Sequence, residues 1–162
     1  MSDNQETSVG PVKKPSLIEG RRRARRMLVQ ALYQWQIAAC PISQIEAEFR
    51  VDNDMSKVDT DYFSELLRAI TARAGELDKL IAPALQREIK GIDPIELSII
   101  RLGAYEMQDR LDIPYRVVIN EGVELVKRFG GTDGHRFVNS VLDRLAIVLR
   151  QAEIGHRGDR RR

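Results

Sequence analysis

Residues 21–36 read RRRARRMLVQALYQWQ and run five arginines directly into an amphipathic helical pattern. At about 100° per residue, an apolar stripe centres on Leu28, and the opposite side is mainly polar and basic. The stripe contains Ala24, Ala31, Leu32, Trp35 and Ala39, and the opposite side contains Arg22, Arg26, Gln30, Tyr33 and Ile37. One helix therefore offers a core face and, behind it, a basic face that includes an aromatic ring.

The arginine cluster has two interpretations. A solvated run of charge at a helix start is the commoner one for an isolated cluster. Cations at a helix N-terminus oppose the helix dipole, however, so that five of them call for an anionic partner. Arginine presents planar donors to phosphate, and a tyrosine can stack on a base or pack against a partner side chain. The pattern indicates an anion-binding surface and leaves open whether the anion is nucleic acid or an acidic protein.

Composition narrows the class of protein. The chain has 162 residues and a net charge of +2, with 43% hydrophobic residues and no apolar run of membrane-spanning length. Residues 1–26 contain seven Lys/Arg and three Asp/Glu, whereas residues 27–152 contain fifteen Lys/Arg and nineteen Asp/Glu. The ends of the chain are therefore basic and its body is mildly acidic. The N-terminus lacks a signal peptide's apolar segment. Cys40, the single cysteine, excludes an internal disulfide. We expect a cytoplasmic protein without membrane association.

Helical periodicity recurs along the chain, and no segment alternates with period two between turn signals. The expected fold is all-α, with about seven helices in two small bundles that divide near Gly75. We predict a disordered tail over 1–18, one helical domain over 19–152 (halves 19–74 and 75–152), and a disordered basic tail over 153–162. Expected helix starts are Asp59 or Thr60, Asp93-Pro94, Asp112-Ile113-Pro114, and Thr132 or Asp133.

No catalytic or metal centre can be assembled from the sequence. His135 and His156 are the only histidines, too few with one cysteine for a zinc site. Glu121 and Glu124 are three residues apart, as on a solvated helix face. We therefore expect no enzymatic activity, no metal and no cofactor.

Two segments resemble the hallmarks of one protein family. Residues 114–145, PYRVVINEGVELVKRFGGTDGHRFVNSVLDRL, resemble the signature of the NusB family, and residues 21–36 resemble its arginine-rich start running into ALYxWQ. The resemblance covers about residues 20–150. It implies an all-helical fold of two bundles and no enzymatic activity. It also implies binding of the boxA element of nascent ribosomal-operon leader RNA, together with NusE, a small-subunit ribosomal protein. The complex would help RNA polymerase read through terminators.

The resemblance also assigns residues by position. RNA contacts would fall on Arg21, Arg22, Arg23, Arg25, Asp133, Arg136 and Phe137, and NusE contacts on Tyr33 and Glu96. The chain departs from the family pattern at Arg26, where relatives often carry glutamate, at Gly134, which replaces a serine, and at Arg136, which replaces a lysine.

Physical chemistry leaves some of these roles open. Asp133 could cap a helix as well as contact RNA, and Phe137 could be half-buried packing as well as a stacking platform. Leu32 and Trp35 are assigned to the core. The alternative function is a helical protein-interaction module whose arginines bind an acidic protein without RNA.

Overall fold

The computed structural model describes residues 16–159, and within them the chain is helical without strands. The eight α-helices of this part are α1 (Leu17–Ile37), α2 (Ile42–Asp52), α3 (Thr60–Ala72), α4 (Ala74–Leu85), α5 (Pro94–Asp109), α6 (Tyr115–Phe129), α7 (Gly134–Leu149) and α8 (Gln151–Asp159). A single 3₁₀ turn, Ile89–Gly91, precedes α5. The predicted all-α class is confirmed, and no helix described is long and apolar enough to cross a membrane.

The ends of the domain differ from the prediction. Helix α1 begins at Leu17 because the Ser16 side chain accepts a hydrogen bond from the Glu19 amide (3.2 Å), a capping arrangement that lies inside the predicted N-terminal tail. The first 15 residues of that tail lie outside the described part. At the other end, α8 occupies positions where a basic tail was expected, and residues 160–162 are not described.

Capping residues set two of the internal helix starts. The Asp59 carboxylate accepts from the Tyr62 amide (3.1 Å) at the start of α3. Asp93 accepts from two amides at the start of α5, with Pro94 at the first helical position. The predicted starts at Asp59 and Asp93 are confirmed. Asp112 does not cap α6 and instead accepts from Arg110 (3.2 Å), because Pro114 takes the capping position.

Helices α1–α3 pack together, as do α4–α7, and α1 lies against α5 to join the two groups. Buried apolar residues form one connected core across both bundles. Helix α5 is buried along most of its length, from Leu97 to Met107, and is the central helix. On α1 the predicted core face is largely correct, but Trp35 is only half-buried and Ala39 is exposed because the helix ends at Ile37.

Leu142 of α7 fits between two glycines of the neighbouring helices. A Cβ on Gly103 of α5 would lie 2.6 Å from one methyl group of Leu142, and a Cβ on Gly122 of α6 would lie 2.6 Å from the other. Leu142 itself is fully buried, so that moving away from one glycine drives it toward the other. The two glycines therefore set how closely α5 and α6 approach α7.

We expect Gly103→Ala to lower the free energy of unfolding by up to about 2 kcal/mol, because the gain of roughly 1 kcal/mol from replacing a helical glycine only partly offsets an overpacking cost of about 1–3 kcal/mol. Urea denaturation measures the change. Gly75→Ala is the matched control: no atom lies within 4 Å of the added methyl in α4, so that this variant should be neutral or more stable. A Gly103→Ala protein as stable as Gly75→Ala would contradict the close packing of Leu142 against the glycines.

Candidate nucleic-acid interface

The five arginines of α1 occupy different faces of the helix. Arg22 and Arg26 are one turn apart and line a groove between α1 and α6. Arg23 is exposed and does not line this groove, and its charge acts on Asp54, between α2 and α3. The arginine run is therefore not one continuous basic surface.

The groove between α1 and α6 is highly charged. Its four cations are Arg22 and Arg26 from α1 and Lys127 and Arg128 from α6, and its two carboxylates are Glu121 and Glu124. We call these six residues the basic groove. Its excess of two positive charges and its open shape suit a polyanion that runs between the helices.

Glu121 is the main internal partner of the basic groove. Its Oε1 lies 2.8 Å from Arg22 Nε, and the Arg22 side chain remains 52% exposed while that of Glu121 is 14% exposed. The hydrogen bond from Arg22 to Glu121 and the charge of Glu121 together raise the pKa of Arg22, which keeps the guanidinium charged. A phosphate that binds Arg22 must compete with this carboxylate. At the far end of the groove, Lys127 pairs with the exposed Glu124 at 3.5 Å.

Arg25, which was predicted to contact RNA, lies in the core and is engaged within the fold. Its side chain is 4% exposed and pairs with Glu106 of α5 (Nη2–Oε2 2.9 Å), whose side chain is 2% exposed. Burial by itself would lower the pKa of Arg25, but the charge and hydrogen bonds of Glu106 outweigh it and raise that pKa. The Tyr62 hydroxyl of α3 also donates to Glu106. Arg25 therefore joins three helices and is not available to a ligand.

Arg21 is also turned away from the basic groove. Its guanidinium lies 4.9 Å from the centroid of the Tyr62 ring, and its Nη1 lies 3.4 Å from Asp112 Oδ2. The side chain is 19% exposed, so that it retains little surface for a ligand. Its predicted RNA contact is thus not supported by this position.

The predicted residues at the start of α7 are accessible to different degrees. Asp133 and Arg136 are exposed, and Phe137 is half-buried against the core. Asp133 occupies the capping position of α7, but its side chain makes no capping hydrogen bond. The carboxylate therefore does not cap the helix, which was the alternative to an RNA contact. Residues 130–133 connect this site to Lys127 and Arg128 at the end of α6.

Glu96 of α5 lies against the first turn of α7. A Cβ on Gly134 would overlap Glu96 Oε1 and lie 2.9 Å from a Val126 methyl group, so that glycine permits this approach. Burial and the nearby Asp93 carboxylate raise the pKa of Glu96, and Arg87 partly offsets them. Glu96 touches the segment that carries the predicted RNA residues.

Tyr33 belongs to an apolar patch at the other end of α1. Tyr33 and Ile37 are 38% and 62% exposed, and they line a shallow concavity with Phe49 of α2 and Ile95 of α5. Glu96 follows Ile95 directly in the chain, which brings the two predicted partner residues to the same end of α5. The patch lies on the face of α1 that also carries Arg22 and Arg26.

Three of the four cations of the basic groove were not predicted as site residues from the sequence: Arg26, Lys127 and Arg128. The helical wheel already placed Arg26 on the same side as Arg22, which was a sufficient signal for it. Lys127 and Arg128 had no such signal, because only the packing of α6 beside α1 brings them to the groove. Among the side chains that the structure describes, in residues 16–155, no group of three or more His, Cys, Asp or Glu could hold a metal ion.

Comparison with known proteins identifies relatives over most of the chain. The model of the NusB family matches residues 22–146. The transcription antitermination protein NusB of Marinobacter nauticus is 57% identical over 154 residues, which cover 94% of this chain and 98% of the relative. The protein of the same name from Hahella chejuensis is 58% identical over 137 residues, covering 85% and 92%.

Solved structures show the same fold. NusB of T. maritima has a TM-score of 0.69 and 30% identity, with coverage of 78% of this chain and 89% of that one. A crystal structure of the antitermination factors NusB and NusE in complex with dsRNA contains a chain with a TM-score of 0.63 and 24% identity, covering 78% of this chain and 96% of that one. At 24% identity, the similarity to this second structure concerns the fold alone.

Proposed function

The chain belongs to the NusB family, and from this premise we propose that it is an RNA-binding transcription antitermination factor. It would bind the boxA element of ribosomal-operon leader RNA together with NusE and promote read-through by RNA polymerase. The proposal includes no catalytic step. Its site of action would be the cytoplasm.

The basic groove carries the proposal. Arg22, Arg26, Lys127 and Arg128 supply four cations along a channel between α1 and α6, where successive phosphates of an RNA strand can be neutralised. Residues 130–133 continue from the groove to α7, where Asp133, Arg136 and Phe137 would contact bases. Asp133 would accept from a base edge, since a carboxylate repels phosphate. Arg23, although exposed, is a weaker candidate because it faces away from the groove.

The partner surface is proposed on the apolar patch. Tyr33 and Ile37 leave apolar surface exposed beside Phe49 and Ile95, in a form suited to a protein rather than to phosphate. NusE would cover this patch and reach Glu96. Because Glu96 touches the first turn of α7, a partner there would also border the proposed RNA contacts.

The test is a titration of labelled boxA RNA with the full chain, with and without NusE, at several salt concentrations. We expect binding whose affinity falls steeply with salt and increases when NusE is present, because phosphate contacts release counterions and the second protein enlarges the interface. A scrambled strand and a duplex containing the same sequence serve as controls. Salt-independent binding, or no binding with NusE present, would contradict the proposal. Recovery of an acidic protein with no RNA binding would favour the alternative of a protein-interaction module.

A further inference from the structure

Arg87 stacks on Phe137 outside the set of residues that the family resemblance assigned. Its guanidinium carbon lies 3.9 Å from the centroid of the Phe137 ring, the shortest arginine–aromatic distance among the described residues. Arg87 lies between α4 and the 3₁₀ turn, whereas Phe137 lies in α7, so that the contact joins two distant parts of the chain. At this distance the planar group can lie on the ring as a second layer.

The backbone around Arg87 is held in place. Gln86 ends α4 in the left-handed region (φ 57°) and is the one non-glycine residue with positive φ in the described part. The 3₁₀ turn that follows ends at Gly91. Arg144 Nη1 of α7 donates to the Ala84 carbonyl (2.8 Å) and ties the end of α4 to α7. The turn therefore directs residue 87 toward α7.

The charge of Arg87 is not held in an ion pair. None of the ion pairs of the side chains described in residues 16–155 includes Arg87, in contrast to Arg22, Arg25 and Arg110. Its charge does act on Glu96, where it partly offsets the rise that burial causes in the pKa of that carboxyl. Arg87 is exposed, whereas Phe137 is half-buried and packs against the core. The half-buried ring thus forms a fixed base beneath an exposed arginine side chain.

We propose that the Arg87–Phe137 pair is a nucleobase platform, in which an unpaired base of the bound RNA stacks on the outer face of the Arg87 guanidinium. The inference rests on the proposed RNA-binding function and adds a contact from the α4–α5 connection. Single-stranded RNA is recognised by stacking of splayed bases on aromatic rings and guanidinium planes. Arg136, exposed in the preceding position of α7, supplies a neighbouring cation for the backbone.

The experiment compares RNA binding by wild type, Arg87→Ala, Arg87→Lys and Lys90→Ala, all with NusE present. We expect both Arg87 variants to lose affinity by about tenfold, in the range of base–aromatic stacking, while Lys retains the wild-type salt dependence. Lys90→Ala is the matched control, since it removes an exposed cation from the same connection and should change affinity less than about threefold. Full retention of affinity by Arg87→Lys would overturn the proposal, because a phosphate contact needs only the charge.

Abasic substitutions, one at a time along the RNA, identify the stacked base. One position is expected to weaken wild-type binding by about tenfold and to have no effect on Arg87→Ala, since the same stack would already be missing. If every abasic substitution weakened binding by the same factor in wild type and in Arg87→Ala, the proposal would be overturned, even if Arg87→Ala altered folding. Absence of RNA binding by the wild-type protein would instead reject the proposed function itself, and with it the platform.

Discussion

Replacing Glu106 with alanine is expected to lower the free energy of unfolding by about 3–5 kcal/mol, the usual cost of removing one partner from a buried ion pair. Glu106 receives two donors. Arg25 lies 2.9 Å away through Nη2, and the Tyr62 hydroxyl also donates to Oε2. Alanine would leave the Arg25 charge and the Tyr62 hydroxyl buried without this acceptor. Urea denaturation followed by circular dichroism measures the loss.

Two further proteins test the cause of that loss. Glu124→Ala removes a carboxylate that is 69% exposed and pairs with Lys127, so that we expect a change within about 0.5 kcal/mol. The double variant Arg25→Met/Glu106→Leu removes both buried charges and should recover much of the stability lost by Glu106→Ala. A single variant that loses less than about 1 kcal/mol, or a double variant no more stable than the single, would contradict the role assigned to the pair.

The Arg25–Glu106 pair also bears on function, since it fixes the rotation of α1. The apolar stripe alone would allow α1 some rotation about its axis, whereas the bidentate ion pair between Arg25 and Glu106 allows little. With Arg25 held against α5 and α3, Arg22 and Arg26 are turned toward α6. The buried Arg25 thus positions Arg22 and Arg26 at the surface.

The helix pattern was predictable because its signals are local. Asp93-Pro94 starts α5, and Asp59 starts α3, through capping hydrogen bonds to amides two or three residues away. The Ser16–Glu19 cap has the same local form and could have moved the predicted start of α1 to Leu17. Helix α8 gave no such signal, since its segment is polar and carries little apolar periodicity.

The candidate site was only partly predictable, for two reasons. On the wheel centred on Leu28, Arg21 lies about 20° and Arg25 about 60° from the centre, so that both belonged to the core side despite their charge. That signal was available. The partner of Arg25 could not be predicted, because Glu106 lies 81 residues away in the chain and only packing brings the two together. The same holds for the Arg22–Glu121 pair and for Arg87 on Phe137.

Reversing the charge of both α1 residues in the basic groove, as Arg22→Glu/Arg26→Glu, is expected to weaken boxA RNA binding by about 100-fold or more. Each charge-assisted hydrogen bond contributes about 1.5–3 kcal/mol, and two would be removed before repulsion is added. The slope of affinity against salt should become shallower by about 0.7 for each phosphate of a single strand that the variant no longer neutralises. A titration at several salt concentrations measures both quantities in one series.

Arg23→Glu separates the groove from general electrostatics, because it introduces the same charge on the same helix but outside the groove. We expect it to weaken binding by no more than about threefold, since a charge beside a polyanion acts through screened solvent when no contact is made. Glu121→Gln should act in the opposite direction and strengthen binding, because it removes the charged carboxylate that competes with phosphate for Arg22 at 2.8 Å. Equal losses of affinity from Arg23→Glu and from either groove arginine reversed singly would mean that RNA does not follow the α1–α6 groove. Weaker binding by Glu121→Gln would mean that this carboxylate orients Arg22 for RNA and does not compete with it.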